Sequence, residues 1–439
     1  MTKTERDRII ELTRRHESSA VNTFTLGEDP PLFVRGEGPF LFTEQGERFV
    51  DLVAGSAVTN LGHGHPAHRR AIERVLDGGI LHTGTRLAHV ERGELYGALA
   101  GILPDELSRV HFVSVGTEAV ETAIKAAQYH TKRRRIFAFE GGYHGRTVGS
   151  LSITHAESLH RTFTTLTDVT TFIPYPYHFR SDPPEHDDQR LMSYCIRSLA
   201  DRLATARAAG DLPSSIILEA VQGTSGAIRP PEGFLKQVRA LATEYDVLLI
   251  VDEVWTGFGR TGKWFAFQHD DVLPDLVCLS KGLTAGLPLA GVAGREDLLG
   301  TWPAGIHTST FQGNPVACAM ARATIEEIET KGWIAHAAGP IERTFETHLA
   351  ELRTLSRIRE VRWIGAAAAI ELADGDGRPD PMTRRIIQDR CLAEKLLVYG
   401  GGRQGNALIL MPPVNIDIAV LAKVLRSLVA IVRSCLPPA

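Results

Sequence analysis

Cysteine is scarce in this sequence, and its spacing fits neither a metal centre nor a disulfide framework. Five cysteines are scattered over 439 residues, with no CxxC pair and an odd total. Such usage is typical of reduced thiols in a cytoplasm, and it argues against a zinc ribbon and against a small secreted domain. We therefore expect a cytoplasmic protein.

Long apolar runs and an excess of charge of one sign are missing as well. No run approaches the roughly 20 apolar residues of a membrane helix, and the charged N-terminus lacks the apolar stretch of a secretory signal. A formal net charge of −4 provides no broad basic surface for nucleic acid. Hydrophobic residues make up 43% and charged residues 23%, which is ordinary for a soluble globular protein. These proportions predict neither a membrane nor a nucleic acid as a partner.

Short, nearly continuous apolar runs alternate with helical stretches through the middle of the chain. The runs lie at 108–114, 135–139, 214–219, 247–252 and 276–280. Runs of this kind are typical of strands that are buried on both faces of a mostly parallel sheet. We predict an α/β fold with a large domain over 65–325. A smaller α+β domain is expected from both chain ends, 1–64 and 326–439.

Two charged residues stand directly at the ends of predicted strands. Asp252 closes the run 247–252, where open α/β sheets bind ligands, and a buried carboxylate there needs a cation. Lys281 follows the run 276–280 and opens a glycine-rich loop. Burial would lower its pKa and provide the neutral amine that forms a Schiff base. Taken alone, each residue is more often a turn cap or a surface charge.

Two further motifs add a phosphate site and a flat surface. Gly116 and Thr117 stand between a predicted strand and a predicted helix, where free backbone N–H groups bind phosphate. Tyr143 lies between glycines after another strand, and its ring could stack on a planar ligand. Together with Lys281 and Asp252 they indicate one ligand with a phosphate, a basic ring nitrogen and an aldehyde. That ligand is pyridoxal 5'-phosphate (PLP).

The order of the motifs along the chain resembles that of the class III (ω-amino acid:oxo acid type) PLP-dependent aminotransferases. These are enzymes of the aspartate-aminotransferase-like fold, also called fold type I. Each motif is weak by itself, but the ordered set is specific and covers nearly the whole chain. The matching stretches are GHGHP at 62–66, GTEA at 116–119, YHGRT at 143–147, EAVQG at 219–223, DEV at 252–254, GFGRTG at 257–262, SKG at 280–282 and TFQGNP at 310–315.

The resemblance implies a role for most of the residues in these stretches. Lys281 matches the lysine that forms the Schiff base, and Asp252 matches the partner of the pyridine nitrogen. Tyr143 is implied to stack on one face of the cofactor ring and Val254 to pack on the other. The remaining cofactor-binding residues that it implies are Gly116, Thr117, Glu219 and Thr310.

One of these matches also predicts an assembly. In the family, the residue that Thr310 matches reaches the phosphate from the neighbouring subunit. The resemblance therefore implies a homodimer with shared active sites. It implies no metal, although His63, His65 and His68 form an HxHxxH pattern, because the matching stretch in the family opens a helix beside the active site.

The sequence departs from the family where relatives bind a second carboxylate. Thr224 and Ile409 stand in place of a glutamate and an arginine that gate the pocket of enzymes acting on 4-aminobutyrate or ornithine. Trp255 replaces a glutamine and would narrow the pocket. We expect Arg403, within a glycine-rich turn, or Arg146 to bind the substrate carboxylate instead.

The resemblance predicts an aminotransferase with small-molecule substrates. We expect it to move an amino group from a primary amine, an ω-amine or an amino-sugar-like donor, to a keto acid by a ping-pong mechanism. The alternative is a PLP-dependent racemase or epimerase of the same fold, which needs no gate for two substrates.

Overall fold

The computed structural model describes residues 3–21, 23–24, 27, 29–155, 162, 169–179 and 184–436. In chain order its strands are β1 Phe33–Glu37, β2 Phe40–Thr43, β3 Arg48–Asp51, β4 Arg109–Val113, β5 Ile136–Phe139, β6 Thr170–Ile173, β7 Ser215–Leu218, β8 Leu248–Asp252, β9 Leu276–Leu279, β10 Ala290–Gly294, β11 Ile358–Ile364, β12 Ala367–Leu372, β13 Leu396–Leu397, β14 Tyr399–Gly401 and β15 Ala407–Leu410.

The helices run between and around these strands. They are α1 Lys3–His16, α2 Ala54–Ala57, α3 Pro66–Gly78, α4 Val90–Ala100, α5 Gly116–Thr131, α6 Val148–Ser152, α7 Asp188–Ala208, α8 Phe234–Glu244, α9 Glu296–Leu299, α10 Pro315–Lys331, α11 Trp333–His336, α12 Glu342–Leu349, α13 Pro381–Ala393 and α14 Ile418–Cys435. Short 3₁₀ turns lie at Ala266–His269, Lys281–Leu283 and Ala350–Thr354, and a π-helical turn lies at Ala337–Ile341.

The centre of the molecule is a seven-stranded sheet in the order β4-β10-β9-β8-β7-β5-β6. The pairs β6–β5, β5–β7, β7–β8 and β8–β9 are parallel, and β10 pairs antiparallel with both β9 and β4. The prediction of a mostly parallel sheet is confirmed. The strand β10, with the sequence AGVAG, was not predicted because its small residues lack the apolar run that marked the other strands.

Helices cover both faces of this sheet, which is why its inner strands β5, β7, β8 and β9 are buried and largely apolar. Ile136 and Ala138 of β5 pack in the core cluster that surrounds α5. Phe137 and Phe139, which alternate with them, pack in the larger cluster on the opposite face. The helix α7 contacts β6 and α8 contacts β8. All five strands predicted from apolar runs in this domain are present.

The smaller part of the molecule is built from both ends of the chain, as predicted. β13 pairs in parallel with β3, with Leu396 opposite Val50, and completes the four-stranded sheet β1-β2-β3-β13. A second sheet, β11-β12-β15-β14, lies in the C-terminal region, where α14 contacts α12 and α13. The predicted limit between the two domains, at 325, falls inside the helix α10. The limits of the two domains therefore stay a prediction. Among the described helices none has the length and apolar character of a membrane span.

Candidate active site

Residues that follow four different strands line one cavity at the carboxyl edge of the central sheet. Asp252 ends β8, Ser280 and Lys281 follow β9, Glu219 follows β7, and the loop after β4 leads to Gly116. The cavity has a volume of about 310 Å³. It is lined by Val115, Gly116, Thr117, Tyr143, His144, Gly145, Arg146, Glu219, Thr224, Asp252, Val254, Trp255, Ser280 and Lys281.

Lys281 is held in a left-handed conformation at the start of its turn. Its φ is 43°, which is uncommon for a residue with a side chain. Burial lowers the pKa of its amine, while the carboxylates of Glu219 and Asp252 raise it. A lowered pKa favours the neutral amine, which is the form that attacks a carbonyl carbon and accepts a proton.

Asp252 is nearly inaccessible and has a histidine as its partner. Its side chain is 4% exposed, and its Oδ2 lies 2.8 Å from Nδ1 of His144, whose side chain is 0% exposed. Oδ1 accepts a hydrogen bond from the backbone N–H of Val254 at 3.0 Å. Because a carboxylate only accepts, Nδ1 of His144 carries the proton in this bond. These two hydrogen bonds fix the orientation of the Asp252 carboxylate, which lines the cavity.

Glu219 holds the backbone of the two loops that flank the cavity. Its Oε1 accepts from the N–H of Tyr143 at 2.8 Å, and its Oε2 accepts from the N–H of Gly223 at 3.0 Å. Burial raises the pKa of this carboxyl group to about 7. The side chain of Glu219 thereby fixes the position of Tyr143 at the edge of the cavity.

The first turn of α5 closes one end of the cavity with hydroxyl groups around it. The hydroxyl of Thr117 lies 2.6 Å from that of Ser150 and 3.0 Å from that of Thr147. Gly116 leaves no space for a side chain, because a Cβ atom there would lie 2.9 Å from Cγ1 of Val254. Free N–H groups of a helix N-terminus and nearby hydroxyls suit a phosphate. A buried amine, a fixed carboxylate and this anion site match the three functional groups of PLP, so the residues fit the cofactor.

Comparison with known proteins agrees with this geometry. The family model described as "Aminotransferase class-III" matches residues 25–432. The chain belongs to the class III aminotransferases. It is therefore a PLP-dependent enzyme that transfers amino groups, and it has the fold type I of that family.

Three relatives illustrate the range of this similarity. The acetylornithine aminotransferase of Methanopyrus kandleri is 35% identical over 410 residues, which are 93% of this chain and 96% of that protein. The alanine/serine racemase of Pyrococcus horikoshii is 33% identical over 402 residues, 89% of this chain and 83% of that protein. The crystal structure of a PLP-bound amine transaminase from an uncultivated Pseudomonas species has a TM-score of 0.87 at 28% identity and covers 96% of this chain and 98% of that one.

The two arginines that we predicted to bind the substrate of this aminotransferase differ in their position relative to the cavity. Arg146 lines the cavity and is exposed, and its Cζ lies 6.0 Å from the centroid of the Tyr143 ring. Arg403 is half-buried and is not among the lining residues. Its Nη2 donates to the carbonyl of Glu140 at 2.8 Å and to Oε1 of Gln222 at 3.2 Å. Only Arg146 faces the cavity in this structure.

The two positions at which we expect the family's gate to be replaced, Thr224 and Ile409, both lie beside Gly401. An ideal Cβ atom on Gly401 would lie 2.6 Å from Cδ1 of Ile409 and 2.9 Å from the carbonyl oxygen of Thr224. Thr224 lines the cavity. Next to it Trp255, 7% exposed, forms a wall and donates from Nε1 to Sδ of Met411 at 3.2 Å. Thr224 and Trp255 therefore give this side of the cavity an uncharged lining.

Thr310 lies apart from the cavity of its own chain. It is exposed, and Phe311 beside it is 66% exposed. It is not one of the residues that line the cavity. Its role toward a neighbouring subunit stays a prediction.

Sequence reasoning missed His144, Thr147 and Ser150 as parts of the site. All three lie within or directly after the motif around Tyr143, but a hydroxyl or an imidazole in a loop carries no signal about its direction. The signal that could have pointed to His144 is the need of the buried Asp252 for a donor.

The histidines of the HxHxxH pattern have separate partners. His63 lies 2.8 Å from Asp51, and His68 lies 2.9 Å from the hydroxyl of Thr324. His65 caps α3 through a hydrogen bond from the N–H of Ala67.

Proposed function

We propose that this aminotransferase takes its amino group from a neutral or cationic primary amine, such as an ω-amine or an amino-sugar-like donor that carries no carboxylate, and passes it to a keto acid in a ping-pong reaction. The observation that carries this proposal is the meeting of Thr224 and Ile409 at Gly401. Neither residue carries a charge, and of the two Thr224 lines the cavity while Ile409 is buried behind it. These two positions therefore offer no ion pair to the distal carboxylate of a dicarboxylic substrate.

The carboxylate of the acceptor is bound elsewhere. Arg146 faces the cavity and forms no ion pair with any described residue, so its guanidinium is available to an anion. Arg403 stands in a turn between β14 and β15, where Gly402 has a φ of 95° and Gly405 a φ of 71°. Guanidinium groups bind carboxylates in a bidentate manner. These two arginines therefore support the binding of a keto acid.

The residues of the cofactor side perform the proton transfers. When bound, PLP supplies the electron-accepting ring for the carbon that loses its proton. Lys281 holds the cofactor between turnovers, and its neutral amine removes and returns that proton. Asp252, oriented by His144, would hold the ring nitrogen of the cofactor through its carboxylate. Trp255 and Val254 limit the access of water.

The test is a screen of amine donors against pyruvate and 2-oxoglutarate, followed by half-reaction kinetics of Arg403→Ala and Arg146→Ala. A charge-assisted hydrogen bond contributes about 1.5–3 kcal/mol, which corresponds to about ten- to a hundredfold in affinity. Loss of the binding arginine should weaken the keto-acid half-reaction and spare a donor without a carboxylate. If 4-aminobutyrate and 2-oxoglutarate are the best pair, the donor class is wrong.

Racemisation or epimerisation is the second candidate. It is favoured by the 33% identity to an alanine/serine racemase and by the missing gate, since a racemase binds only one substrate. A stoichiometric keto product, formed together with pyridoxamine phosphate, supports transamination. Incorporation of deuterium at the substrate carbon without net transfer supports racemisation.

A homodimer in the cytoplasm completes the proposal. The exposed Thr310 and Phe311 support a contact with a second copy, which would bring Thr310 to the neighbouring phosphate site. The five free cysteines are typical of a reducing compartment. A sedimentation experiment on the wild type and on Phe311→Asp tests the dimer, which the charged variant should weaken.

A further inference from the structure

The guanidinium of Arg403 rests on an aromatic ring outside the cofactor cavity. Its Cζ lies 4.6 Å from the centroid of the Tyr177 ring. Nη2 donates at the same time to the carbonyl of Glu140 and to the side-chain carbonyl of Gln222. A cation above an aromatic face within about 6 Å is attracted by the ring. Arg403 therefore has a defined resting place away from the substrate.

Tyr177 is itself held firmly in place. It is 6% exposed, and its hydroxyl donates to Oε1 of Glu371. Glu371, which is 1% exposed, accepts a hydrogen bond from Nη2 of Arg362 at 2.7 Å. A further donor is Nδ2 of Asn406, at 3.3 Å. The side chain cannot swing out of its position without breaking a buried, charge-assisted bond, so its ring stays in place beside the guanidinium.

The backbone on both sides of this contact is tied as well. The N–H of Gly402, next to Arg403, donates to the carbonyl of Thr224 at 3.0 Å. Nε of Arg362 donates to the carbonyl of Gly226 at 3.0 Å, so the same arginine that fixes Glu371 also holds the loop of Thr224. A movement of Arg403 into the cavity is therefore a movement of its side chain, and it requires the guanidinium to leave the ring.

We propose that Tyr177 is a positioning residue for Arg403. The ring of Tyr177 holds the guanidinium of Arg403 outside the cavity until the carboxylate of an acceptor competes for it. This inference rests on the proposed role of Arg403 in acceptor binding. The resting contact lowers the apparent affinity for the acceptor, because binding has to break it. For a desolvated contact, its loss should raise that affinity from about five- to about thirtyfold.

The test is Tyr177→Leu in the holoenzyme, with propionate and glutarate as probes. These acids are pyruvate and 2-oxoglutarate without the keto oxygen, so their binding can be followed by calorimetry without turnover. We expect Tyr177→Leu to bind one or both more tightly by the factor given above and to lower the KM for the corresponding keto acid. The KM for a donor without a carboxylate should not change. A merely structural role of Tyr177 would raise the KM for every substrate or lower kcat.

Two variants serve as controls. Tyr177→Phe keeps the ring, and its acceptor affinity should stay within about twofold of the wild type. Phe179→Leu removes a neighbouring ring, whose centroid lies 4.0 Å from Cζ of Arg359, and it should leave the acceptor affinity unchanged. Thermal unfolding checks that the variants fold, and Tyr177→Met replaces the leucine variant if that one does not.

The inference and the proposed function fail in different ways. If Arg403→Ala leaves the binding of propionate and glutarate unchanged, Arg403 does not bind the acceptor and the role of Tyr177 is overturned. The proposed function then depends on Arg146, and it fails as well if Arg146→Ala leaves the binding of both acids unchanged. If Arg403→Ala weakens binding while Tyr177→Leu weakens it or changes it by less than about twofold, the proposed function stands and the role of Tyr177 is overturned.

Discussion

The two sides of the cavity are built in different ways. On the cofactor side, Asp252 is 3% exposed and Glu219 is 4% exposed. Each carboxylate there has at least two hydrogen-bond partners. On the substrate side Arg146 is exposed and forms no ion pair with any described residue, and Arg403 is held outside the cavity by a ring and two carbonyl groups.

The difference follows from the cost of burying charge. A buried ion without a partner is strongly destabilising, so the buried carboxylates of the cofactor side are held by hydrogen bonds. An exposed guanidinium such as that of Arg146 keeps its hydration and remains able to bind an anion. The cofactor side is suited to chemistry that is the same in every turnover, and the substrate side is suited to two substrates of different charge.

The largest effect is expected on the cofactor side, at Lys281. Lys281→Ala removes both the attachment of the cofactor and the base, so turnover should fall by several orders of magnitude. Borohydride reduction of the wild type followed by peptide mapping should place the label on Lys281. Lys263→Ala, at an exposed lysine of the same region, should be nearly as active as the wild type. A label on another lysine contradicts the assignment.

Asp252→Asn should have the next largest effect. It keeps the shape of the side chain but removes the charge beside the ring nitrogen. Removal of one partner from a buried ion pair costs about 3–5 kcal/mol, so the deprotonation half-reaction should slow by about a hundred- to a few thousandfold. Asp271→Asn, at an exposed carboxylate, is the control. A rate near that of the wild type would show that Asp252 lacks this role.

His144 should matter less than Asp252, because it acts through that residue. His144→Phe removes the bond from Nδ1 to Oδ2 of Asp252. A hydrogen bond to a charged group contributes about 1.5–3 kcal/mol, so the same half-reaction should slow by about ten- to a hundredfold. His144→Asn can donate from nearly the same position and should recover most of the rate. Equal losses in both variants would indicate a packing effect only.

The smallest effect is expected at His178, the residue after Tyr177, which interacts with one residue of α7 and one residue of β11. Nε2 of His178 lies 2.8 Å from Asp188, and Nδ1 lies 3.5 Å from Glu360. The hydrogen bond with Glu360 raises the pKa of His178 to about 9. Because this value lies above the value of about 6.5 in the unfolded chain, the stabilisation is complete below about pH 6.5 and is lost as the pH rises through about 9.

Denaturant unfolding of His178→Gln checks this sign. The side chain is 27% exposed, so solvent screens part of the interaction, and we expect a loss of about 1–2 kcal/mol in the free energy of unfolding at pH 6. At pH 10 the variant and the wild type should differ little. An equal loss at both pH values would mean that the charge of His178 plays no part.

The residues of the cofactor side could be predicted because each follows a strand directly. Asp252 and Lys281 stand at the ends of β8 and β9, and parallel strands bring their carboxyl ends to one edge of the sheet. The predicted mostly parallel sheet and the small domain from both chain ends are confirmed for the same reason, since apolar runs and their order carry this information. β10 was not predicted, because AGVAG resembles a loop until its neighbours β4 and β9 supply hydrogen bonds.

The partners of these residues could not be predicted in the same way. His144 and Asp252 are 108 positions apart, and nothing near His144 in the sequence indicates that its imidazole turns toward a carboxylate on another strand. The same holds for Arg403 and Tyr177. The glycines around Arg403 predict a turn but not the direction of its side chain.

The sequence by itself determined the family, the α/β fold and the cofactor, because these depend on local apolar periodicity and on motifs that each follow one strand. Only the tertiary structure decided which side chains pair and which arginine faces the cavity. Those choices depend on contacts between distant segments, such as the ring of Tyr177 beneath Arg403. A side chain on a turn adopts the direction in which its charge is best compensated, and the compensating groups come from elsewhere in the fold.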